Sequence, residues 1–226
     1  MLLHIPEVLT REELAHARML LANADWQDGR ATAGHQAIDV KHNLQLPATG
    51  DTARELAALV QRALARQPLF MSAALPKVVM TPMFNCYQRG MTYGNHVDNA
   101  VRTDPLSGQY VRTDVSSTLF FSEPHEYEGG ELVVEDTYGS HRVKLPAGDL
   151  IVYPSTSLHR VEPVHSGARL ASFMWTQSMV RDDAQRAMLF DMDMAIISLR
   201  EKVGNCQELV TLTATYHNLL RQWAEL

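Results

Sequence analysis

Cysteine is almost absent from this chain, which has two cysteines, Cys86 and Cys206, among its 226 residues. Two cysteines so far apart cannot build a disulfide framework or a zinc site of paired cysteines, so we expect a reducing compartment. No run of residues approaches the roughly 20 apolar residues of a membrane-spanning helix, and Met1 to Glu7 lack the basic and apolar regions of a secretory signal. We therefore expect a cytoplasmic protein without a membrane partner.

An excess of positive charge is also missing. The formal net charge is -6, with 20 Lys and Arg against 26 Asp and Glu. This charge repels a polyanion, and no basic cluster interleaved with aromatic residues offsets it, so we expect no nucleic-acid partner. Hydrophobic residues make up 46% and charged residues 20% of the chain, which excludes disorder, collagen and coiled coil for the whole chain. The length suits one catalytic domain with a small appendage.

Helical patterns lie at both ends of the chain. Thr10 to Glu13 and Thr52 to Glu55 match capping boxes, and each is followed by apolar residues at helical spacing. Between residues 78 and 178, short apolar or alternating runs are broken by Gly and Pro, which is typical of a β-sandwich or barrel. Beyond Arg181, two apolar stripes separated by Gly204-Asn205 predict a helical hairpin.

These patterns predict a mainly β protein with flanking helices, in three segments. Residues 1–77 contribute helices and strands that buttress the core, residues 78–178 form the β core, and residues 179–226 form a helical C-terminal extension. Apolar stripes at helical spacing are usually packing faces, so we assign the two stripes of the extension to packing or dimerisation. Dimerisation would make the protein a homo-oligomer that associates through these helices. The stripes are Met188, Met192, Ala195, Leu199 and Val203, then Leu209, Leu212, Tyr216, Leu219 and Trp223.

A candidate metal site begins with His96-Val97-Asp98. In an extended segment His96 and Asp98 project to the same face, because side chains alternate with period two. A lone His-x-Asp is a weak signal in a chain with ten histidines. His159 strengthens it, because it follows the apolar strand Leu150–Tyr153 and a turn, which places an imidazole at a sheet edge. Two histidines and one carboxylate leave open coordination positions and suit Fe(II), whereas structural zinc takes four protein ligands.

Arg169 lies ten positions after His159. Its planar guanidinium binds a carboxylate bidentately and stays charged, so we interpret it as the anchor of a dicarboxylate. In a tight hairpin turning at residues 165–168, Arg169 would lie roughly 16 Å along the strand from His159, too far to share a ligand with the metal. In opposing sheets of a jelly roll, both side chains point into one cavity, and the spacing becomes useful.

The set His96-x-Asp98, His159 and Arg169 resembles the Fe(II)/2-oxoglutarate dioxygenases of the prolyl 4-hydroxylase-like group. Flanking segments sharpen the likeness to the bacterial PKHD-type hydroxylases, a family that includes the iron-uptake factor PiuC. These segments are Gly129-Gly130-Glu131-Leu132, Gly148-Asp149-Leu150-Ile151-Val152-Tyr153-Pro154, and His159-Arg160-Val161-x-Pro163-Val164 ahead of Gly167-x-Arg169.

This resemblance covers nearly the whole chain and implies a double-stranded β-helix, or jelly-roll, core. It implies that His96, Asp98 and His159 hold Fe(II) and form the catalytic centre, and that Arg169 binds the co-substrate 2-oxoglutarate. The implied reaction uses dioxygen to hydroxylate a small-molecule or peptide substrate and releases succinate and CO2, with L-ascorbate as a supporting reductant. The family also implies a link to iron uptake.

Several interpretations stay open. Tyr87 is either a donor to the co-substrate carboxylate or an ordinary core tyrosine. Residues 99–114 form either a lid over the iron, in which Arg102 and Arg112 influence turnover, or a plain surface connection. Two rival functions are a cupin-type metalloenzyme, which would not need Arg169, and a non-catalytic iron or ligand sensor on the same fold. The histidines interpreted as lying outside the ligand set are His35, His42, His125, His141 and His165.

Overall fold

A computed structural model describes residues 1–32 and 38–226 of the chain. In these residues the helices are α1 (Arg11–Ala22), α2 (Asp51–Ala65), α3 (Pro68–Ala74), α4 (Asp183–Val203) and α5 (Gln207–Trp223). The strands are β1 (Leu3–Ile5), β2 (Gln27–Asp28), β3 (Lys41–His42), β4 (Leu44–Gln45), β5 (Pro76–Val79), β6 (Met83–Tyr87), β7 (Thr92–His96), β8 (Val101–Thr103), β9 (Tyr110–Arg112), β10 (Val115–Phe120), β11 (Tyr127–Gly129), β12 (Leu132–Asp136), β13 (Gly139–Val143), β14 (Leu150–Pro154), β15 (His159–Val161), β16 (Val164–Gly167) and β17 (Arg169–Ser178).

Two antiparallel sheets pack against each other. The larger sheet has the order β1-β14-β10-β17-β6-β4-β2, with β5 paired to the far end of β17, and the smaller has the order β13-β12-β15-β7-β3. One buried cluster joins their inner faces, with Tyr87, Phe120 and Ile151 from the larger sheet against Leu132 and Val161 from the smaller. This arrangement confirms the predicted jelly-roll core.

The first three helices cover the outer face of the larger sheet. Strand β14 shows how the sequence places this sheet between two layers. Its Leu150 and Val152 pack with the helices, whereas Ile151 and Tyr153 point into the space between the sheets. A strand that is buried on both faces reads as a continuous apolar run, and Leu-Ile-Val-Tyr is such a run.

The two predicted capping boxes have different outcomes. Thr10 caps α1 as predicted, since its side chain accepts from the Glu13 backbone and Glu13 returns the bond. The box predicted at Thr52 is wrong, because α2 begins at Asp51 and its N-cap is Gly50, which offers no side-chain cap. The Gly50 carbonyl already accepts from the Arg54 amide at 3.0 Å, so the helical bonding starts before Thr52.

The C-terminal hairpin is confirmed, with Gly204 at φ 70° after α4. The packing face predicted for α4 is wrong, because its buried residues are Arg186, Leu189, Phe190 and Ile196 rather than the predicted stripe. Apolar residues occur around much of α4, so periodicity alone does not choose the face that packs on α3 and α5. The stripe of α5 fits better: Leu209 is buried, and three of its members pack around Leu75, Val180 and Leu189, namely Tyr216, Leu219 and Trp223.

Among the described residues, none of the helices combines the length and the apolar character that crossing a membrane requires.

Candidate active site

The three predicted metal ligands meet at the facing ends of two neighbouring strands. His96 ends β7, His159 begins β15, and the two residues are direct partners in the antiparallel register. Asp98 follows two positions after the end of β7. One potential ligand atom from each of the three residues lies within 4.8 Å of the others, so the arrangement can hold one metal ion.

Both histidines are held in the tautomer that a metal needs. The Nδ1 atom of His96 lies 2.8 Å from the Gly94 carbonyl, and that of His159 lies 3.0 Å from the Ser157 carbonyl. A carbonyl only accepts, so each Nδ1 carries the proton and each Nε2 keeps a free lone pair. Metal-bound histidines usually have their other ring nitrogen fixed in this way.

The carboxylate of Asp98 is oriented by two serines. The Ser116 hydroxyl donates to Asp98 Oδ2 at 2.6 Å, and the hydroxyls of Ser116 and Ser155 lie 2.7 Å apart. The His159 Nε2 atom lies 3.8 Å from the same Asp98 oxygen, which is too long for a hydrogen bond. The carboxylate therefore faces the imidazole across a gap rather than bonding to it.

Electrostatics favour a neutral imidazole at His96. Burial, and next the neighbouring His159, lower the pKa of His96 to about 4. The ring is therefore uncharged near neutral pH, and a neutral imidazole is the form that binds a metal. Tyr93 stacks on His96 with ring centroids 3.6 Å apart and fixes the plane of the imidazole.

Arg169 lies at the start of β17 in the larger sheet, and its side chain is 1% exposed. The guanidinium carbon is 5.1 Å from the Phe120 ring centroid and 5.5 Å from that of Tyr87. Within residues 1–32 and 38–226, no hydrogen-bond partner is found for its Nε and Nη1 atoms, and it takes part in no ion pair. A buried cation without a counter-ion is costly, so this site fits an anion.

The strand order resolves the choice between a hairpin and opposing sheets. His159 on β15 belongs to the smaller sheet and Arg169 on β17 to the larger, whereas the intervening β16 pairs with β11. Gly167 makes this exit possible, because at φ 73° an added Cβ would lie 2.0 Å from the Glu126 carbonyl oxygen. His96, Asp98, His159 and Arg169 all line one pocket of about 630 Å³, a volume that includes its open mouth.

The pocket contains further polar groups that sequence analysis did not identify. Asn85 Oδ1 and Ser117 Oγ are buried with no hydrogen-bond partner among the described residues. Both side chains line the pocket, as do Lys41 and Ser116. Their strands lie far apart in sequence and carry no motif, so only the sheet pairing brings these residues together.

The open interpretations can now be compared with the structure. Tyr87 lines the pocket, and burial raises its pKa to about 12, so it is a protonated donor beside Arg169. Residues 99–114 contain the β8–β9 hairpin, in which Arg102 lines the pocket, whereas Arg112 bonds to Asp114 and Glu225 instead. Of the histidines interpreted as lying outside the ligand set, four are exposed, namely His42, His125, His141 and His165. The fifth, His35, lies outside the described residues.

Comparisons with known proteins agree with this geometry. Residues 82–177 match the 2OG-Fe(II) oxygenase superfamily, and residues 183–225 match the PKHD-type hydroxylase C-terminal domain. A prolyl-4-hydroxylase from Pseudomonas putida superimposes with a TM-score of 0.51 at 22% identity, covering 78% of this chain and 92% of that one. A prolyl hydroxylase from Trichoplax adhaerens, in complex with a hypoxia inducible factor peptide fragment, gives 0.55 at 16% identity, covering 83% and 86%. Fold and family define a 2-oxoglutarate- and Fe(II)-dependent dioxygenase.

Sequence relatives narrow the class to one family. A PKHD-type hydroxylase from Hyphomonas neptunium is 64% identical over 225 residues, and PiuC from Pseudomonas aeruginosa, also a PKHD-type hydroxylase, is 56% identical over 226 residues. Both alignments cover 100% of each chain. This chain belongs to the PKHD-type hydroxylases, as the sequence motifs predicted.

Proposed function

We propose that His96, Asp98 and His159 hold the Fe(II), that Arg169 binds the far carboxylate of 2-oxoglutarate, and that the enzyme hydroxylates an organic substrate with release of succinate and CO2. The observation that carries this proposal is the buried guanidinium of Arg169, which has no counter-ion among the described residues and shares a pocket with the three ligands. A dicarboxylate that chelates iron at one end supplies the missing anion at the other.

Each residue then has a task that its surroundings support. Iron and 2-oxoglutarate, when bound, supply the activation of dioxygen. Ser116 holds Asp98 in one orientation, and the backbone carbonyls of Gly94 and Ser157 fix the two imidazoles. Arg169 and the Tyr87 hydroxyl orient the co-substrate carboxylate. The rings of Tyr87 and Phe120 flank Arg169 and keep water from it.

Anaerobic titration tests the proposal. Adding Fe(II) and then 2-oxoglutarate to the metal-free protein should produce a visible metal-to-ligand charge-transfer band, and admitting dioxygen should release succinate. Asp98→Ala should lose the band, because the metal keeps only two protein ligands. Asp191→Ala, which changes an exposed aspartate on α4, is the matched control and should retain the band.

The same titration separates the rival functions. A cupin-type enzyme with these ligands would bind iron but give no band with 2-oxoglutarate. A sensor would give the band yet produce no succinate with any cellular extract. Either result would contradict the proposed reaction.

We also propose the three segments 1–77, 78–178 and 179–226 as functional units. Helices α1–α3 of the first segment pack on the larger sheet, which supports their buttressing role. Strands β3 and β4 of this segment pair with β7 and β6 of the core. The core segment expressed alone is therefore expected to stay unfolded, as circular dichroism would show.

Further features that the family implies are proposals as well. We propose that ascorbate sustains repeated turnover. The amount of succinate formed per enzyme molecule, with and without ascorbate, would measure this effect.

We also propose that the protein is cytoplasmic, that its substrate is a small molecule or a peptide, and that it has no nucleic-acid partner. A role in iron uptake predicts that cells carrying only Asp98→Ala grow more slowly under iron limitation than cells with the active enzyme.

A homo-oligomer through the C-terminal helices is proposed from their exposed apolar residues. Several apolar side chains lie on the surface of α4 and α5, where no other part of the described chain covers them. Light scattering at micromolar concentration measures the assembly, and Ile197→Glu combined with Val210→Glu should shift it to the monomer. The exposed residues are Met188, Ile197, Leu199, Val203, Val210 and Leu212.

A further inference from the structure

Residues 112–116, which we call the support segment, connect two parts of the molecule that are far apart in sequence. The segment runs from the last residue of β9 to the second residue of β10. On one side it contacts the loop that follows β7. The Thr113 hydroxyl donates to the Asn99 carbonyl at 2.5 Å, and the Ser116 hydroxyl donates to Asp98 at 2.6 Å. The support segment therefore holds the proposed ligand Asp98 and the residue after it.

On the other side, the support segment contacts the C-terminal extension, residues 179–226. Arg112 Nη1 donates to Glu225 Oε2 at 3.1 Å, and Arg112 Nη2 donates to the Ser178 carbonyl at 3.3 Å. The Glu225 amide in turn donates to the Met179 carbonyl at 2.7 Å, so the end of the extension lies against its beginning. One arginine of the support segment is thus bonded where the two ends of the extension meet.

Asp114 is the residue on which the bonds of the support segment converge. Its carboxylate is 6% exposed and accepts from Arg112 Nε at 2.8 Å and from the Ser178 amide at 2.9 Å. Its backbone carbonyl accepts from the Ser155 amide at 3.1 Å. Bonds to a buried carboxylate are strong, so they fix the side chain and the backbone that carries it.

A path of hydrogen bonds leads from Asp114 to the proposed metal site. Ser155, which Asp114 holds, has its hydroxyl 2.7 Å from that of Ser116. A hydroxyl has one proton to donate, and Ser116 donates its proton to Asp98, so Ser155 is the donor to Ser116. Consecutive hydrogen bonds polarise and strengthen one another. A change at Asp114 should therefore weaken the bond that orients Asp98.

We infer that Asp114 is a positioning residue for the metal ligand Asp98, and that the C-terminal extension, through the bond between Glu225 and Arg112, helps to hold Asp114 in place. The extension then contributes to metal affinity, although none of its residues, all of which the structure describes, lines the pocket. The inference rests on the proposed function, because it takes Asp98 as a ligand of Fe(II).

The test measures the Kd of Fe(II) for the full chain by anaerobic competition with a coloured chelator. Asp114→Ala should raise this Kd about tenfold, at the lower end of the range for groups that support metal ligands, because it acts through Ser116. Asp114→Asn keeps a carbonyl acceptor but loses the charge, so it should raise the Kd about threefold. If Asp114→Ala does not fold, Asp114→Asn decides the test.

Asp104→Ala is the matched control for the loss of a buried carboxylate. Asp104 is buried in the same part of the chain and accepts from the amides of Thr81 and Ser107, which lie outside the path to Asp98. This variant should lower the Tm of the metal-free protein and leave the Kd of Fe(II) within about twofold of the wild type. A loss of metal affinity that merely followed lost stability would appear in Asp104→Ala as well.

A double variant tests whether Asp114 acts through Ser116. Ser116→Ala combined with Asp114→Ala should bind Fe(II) within about twofold of Ser116→Ala alone, because the path is already broken, whereas independent damage would multiply the two losses.

The contribution of the extension is tested by charge reversal. Glu225→Lys places a like charge beside Arg112 and should raise the Kd of Fe(II) about threefold. Glu201→Lys, which changes an exposed glutamate of α4, is its control and should keep the wild-type value.

Four results would overturn the inference: wild-type affinity in the folded Asp114 variants, an equal loss in Asp104→Ala, multiplied losses in the double variant, or wild-type affinity in Glu225→Lys. A failure of the proposed function is recognised separately. It would appear as wild-type Fe(II) affinity in Asp98→Ala, whatever the Asp114 variants do.

Discussion

At the scale of single residues, the buried charge of Arg169 leads to a prediction about stability as well as binding. Arg169→Met removes a buried cation that has no counter-ion among the described residues, so the Tm of the metal-free protein should stay equal or rise. The same change would remove the proposed bidentate contact to 2-oxoglutarate, and a contact of this kind contributes about 1.5–3 kcal/mol, so the Kd should rise roughly 10- to 150-fold. Calorimetry and the charge-transfer titration measure the two effects.

The matched control is a second buried arginine with the opposite expectation. Arg186 is also buried, but it donates to the carbonyls of Val180 and Arg181 and forms an ion pair with Asp183. Arg186→Met should lower the Tm and leave the Kd for 2-oxoglutarate unchanged. A large loss of Tm in Arg169→Met would show that its guanidinium is satisfied by the chain and would contradict the assignment.

A second residue-scale prediction concerns Ser116, whose hydroxyl donates to Asp98 at 2.6 Å. Without this bond the carboxylate loses its fixed orientation, so Ser116→Ala should weaken Fe(II) binding about 10- to 100-fold. Competition with a coloured chelator under anaerobic conditions measures the affinity. Ser107→Ala, on the surface loop of the β8–β9 hairpin, is the control, and equal affinities in the two variants would contradict the positioning role.

The residues of the site differ in how far the sequence could predict them. His96, Asp98, His159 and Arg169 stand in local motifs, so the sequence placed them in one pocket, and the structure brings them together there. Ser116 and Lys41 stand in no motif and reach the pocket only because β10 and β3 join different sheets. Contacts made through long-range strand pairing leave no local signal in the sequence.

At the scale of elements, helix α4 yields a prediction from its corrected packing face. Leu189 is 1% exposed and packs with Leu75 and Val180, whereas Leu199, a member of the predicted stripe, is 39% exposed. Leu189→Ala should therefore cost about 2–5 kcal/mol of unfolding free energy, because it leaves a cavity. Leu199→Ala should change it by less than about 0.5 kcal/mol.

Urea unfolding at low protein concentration measures both values and keeps any association of the helices out of the comparison. If Leu199→Ala lowered the unfolding free energy more than Leu189→Ala, the packing face of α4 would be the one that the sequence predicted. The identical chemistry of the two substitutions means that their difference reports burial alone.

Strands differed in predictability according to how they are buried. The apolar runs Met83–Tyr87 and Leu150–Tyr153, which correspond to β6 and to most of β14, were predicted because strands covered on both faces have few polar residues. Short strands such as β3 and β8, with two and three residues, carry too few positions for a period to show. The capping error at Thr52 has another cause, since the Thr52–Glu55 pair lies inside the first turn of a helix that already begins at Asp51.

At the scale of the whole molecule, the proposed site joins the two sheets of the jelly roll. His96 and His159 belong to the smaller sheet, and Arg169 belongs to the larger. Iron bound at one sheet and the co-substrate carboxylate bound at the other would link them through a single ligand. Loading should therefore stabilise the core as a unit rather than one loop.

This linkage predicts a rise in Tm that needs both ligands. Under anaerobic conditions with free 2-oxoglutarate at a hundredfold excess over its Kd, binding contributes about 2.7 kcal/mol, which corresponds to roughly 5–11 °C for a chain of this size. Differential scanning fluorimetry should show the full shift with Fe(II) and 2-oxoglutarate together, and little with 2-oxoglutarate alone. In Arg169→Met the same concentrations should give a much smaller shift, because that variant is expected to bind the co-substrate weakly. An equal shift in wild type and Arg169→Met would mean that 2-oxoglutarate binds through one sheet only, and the proposed connection across the pocket would be wrong.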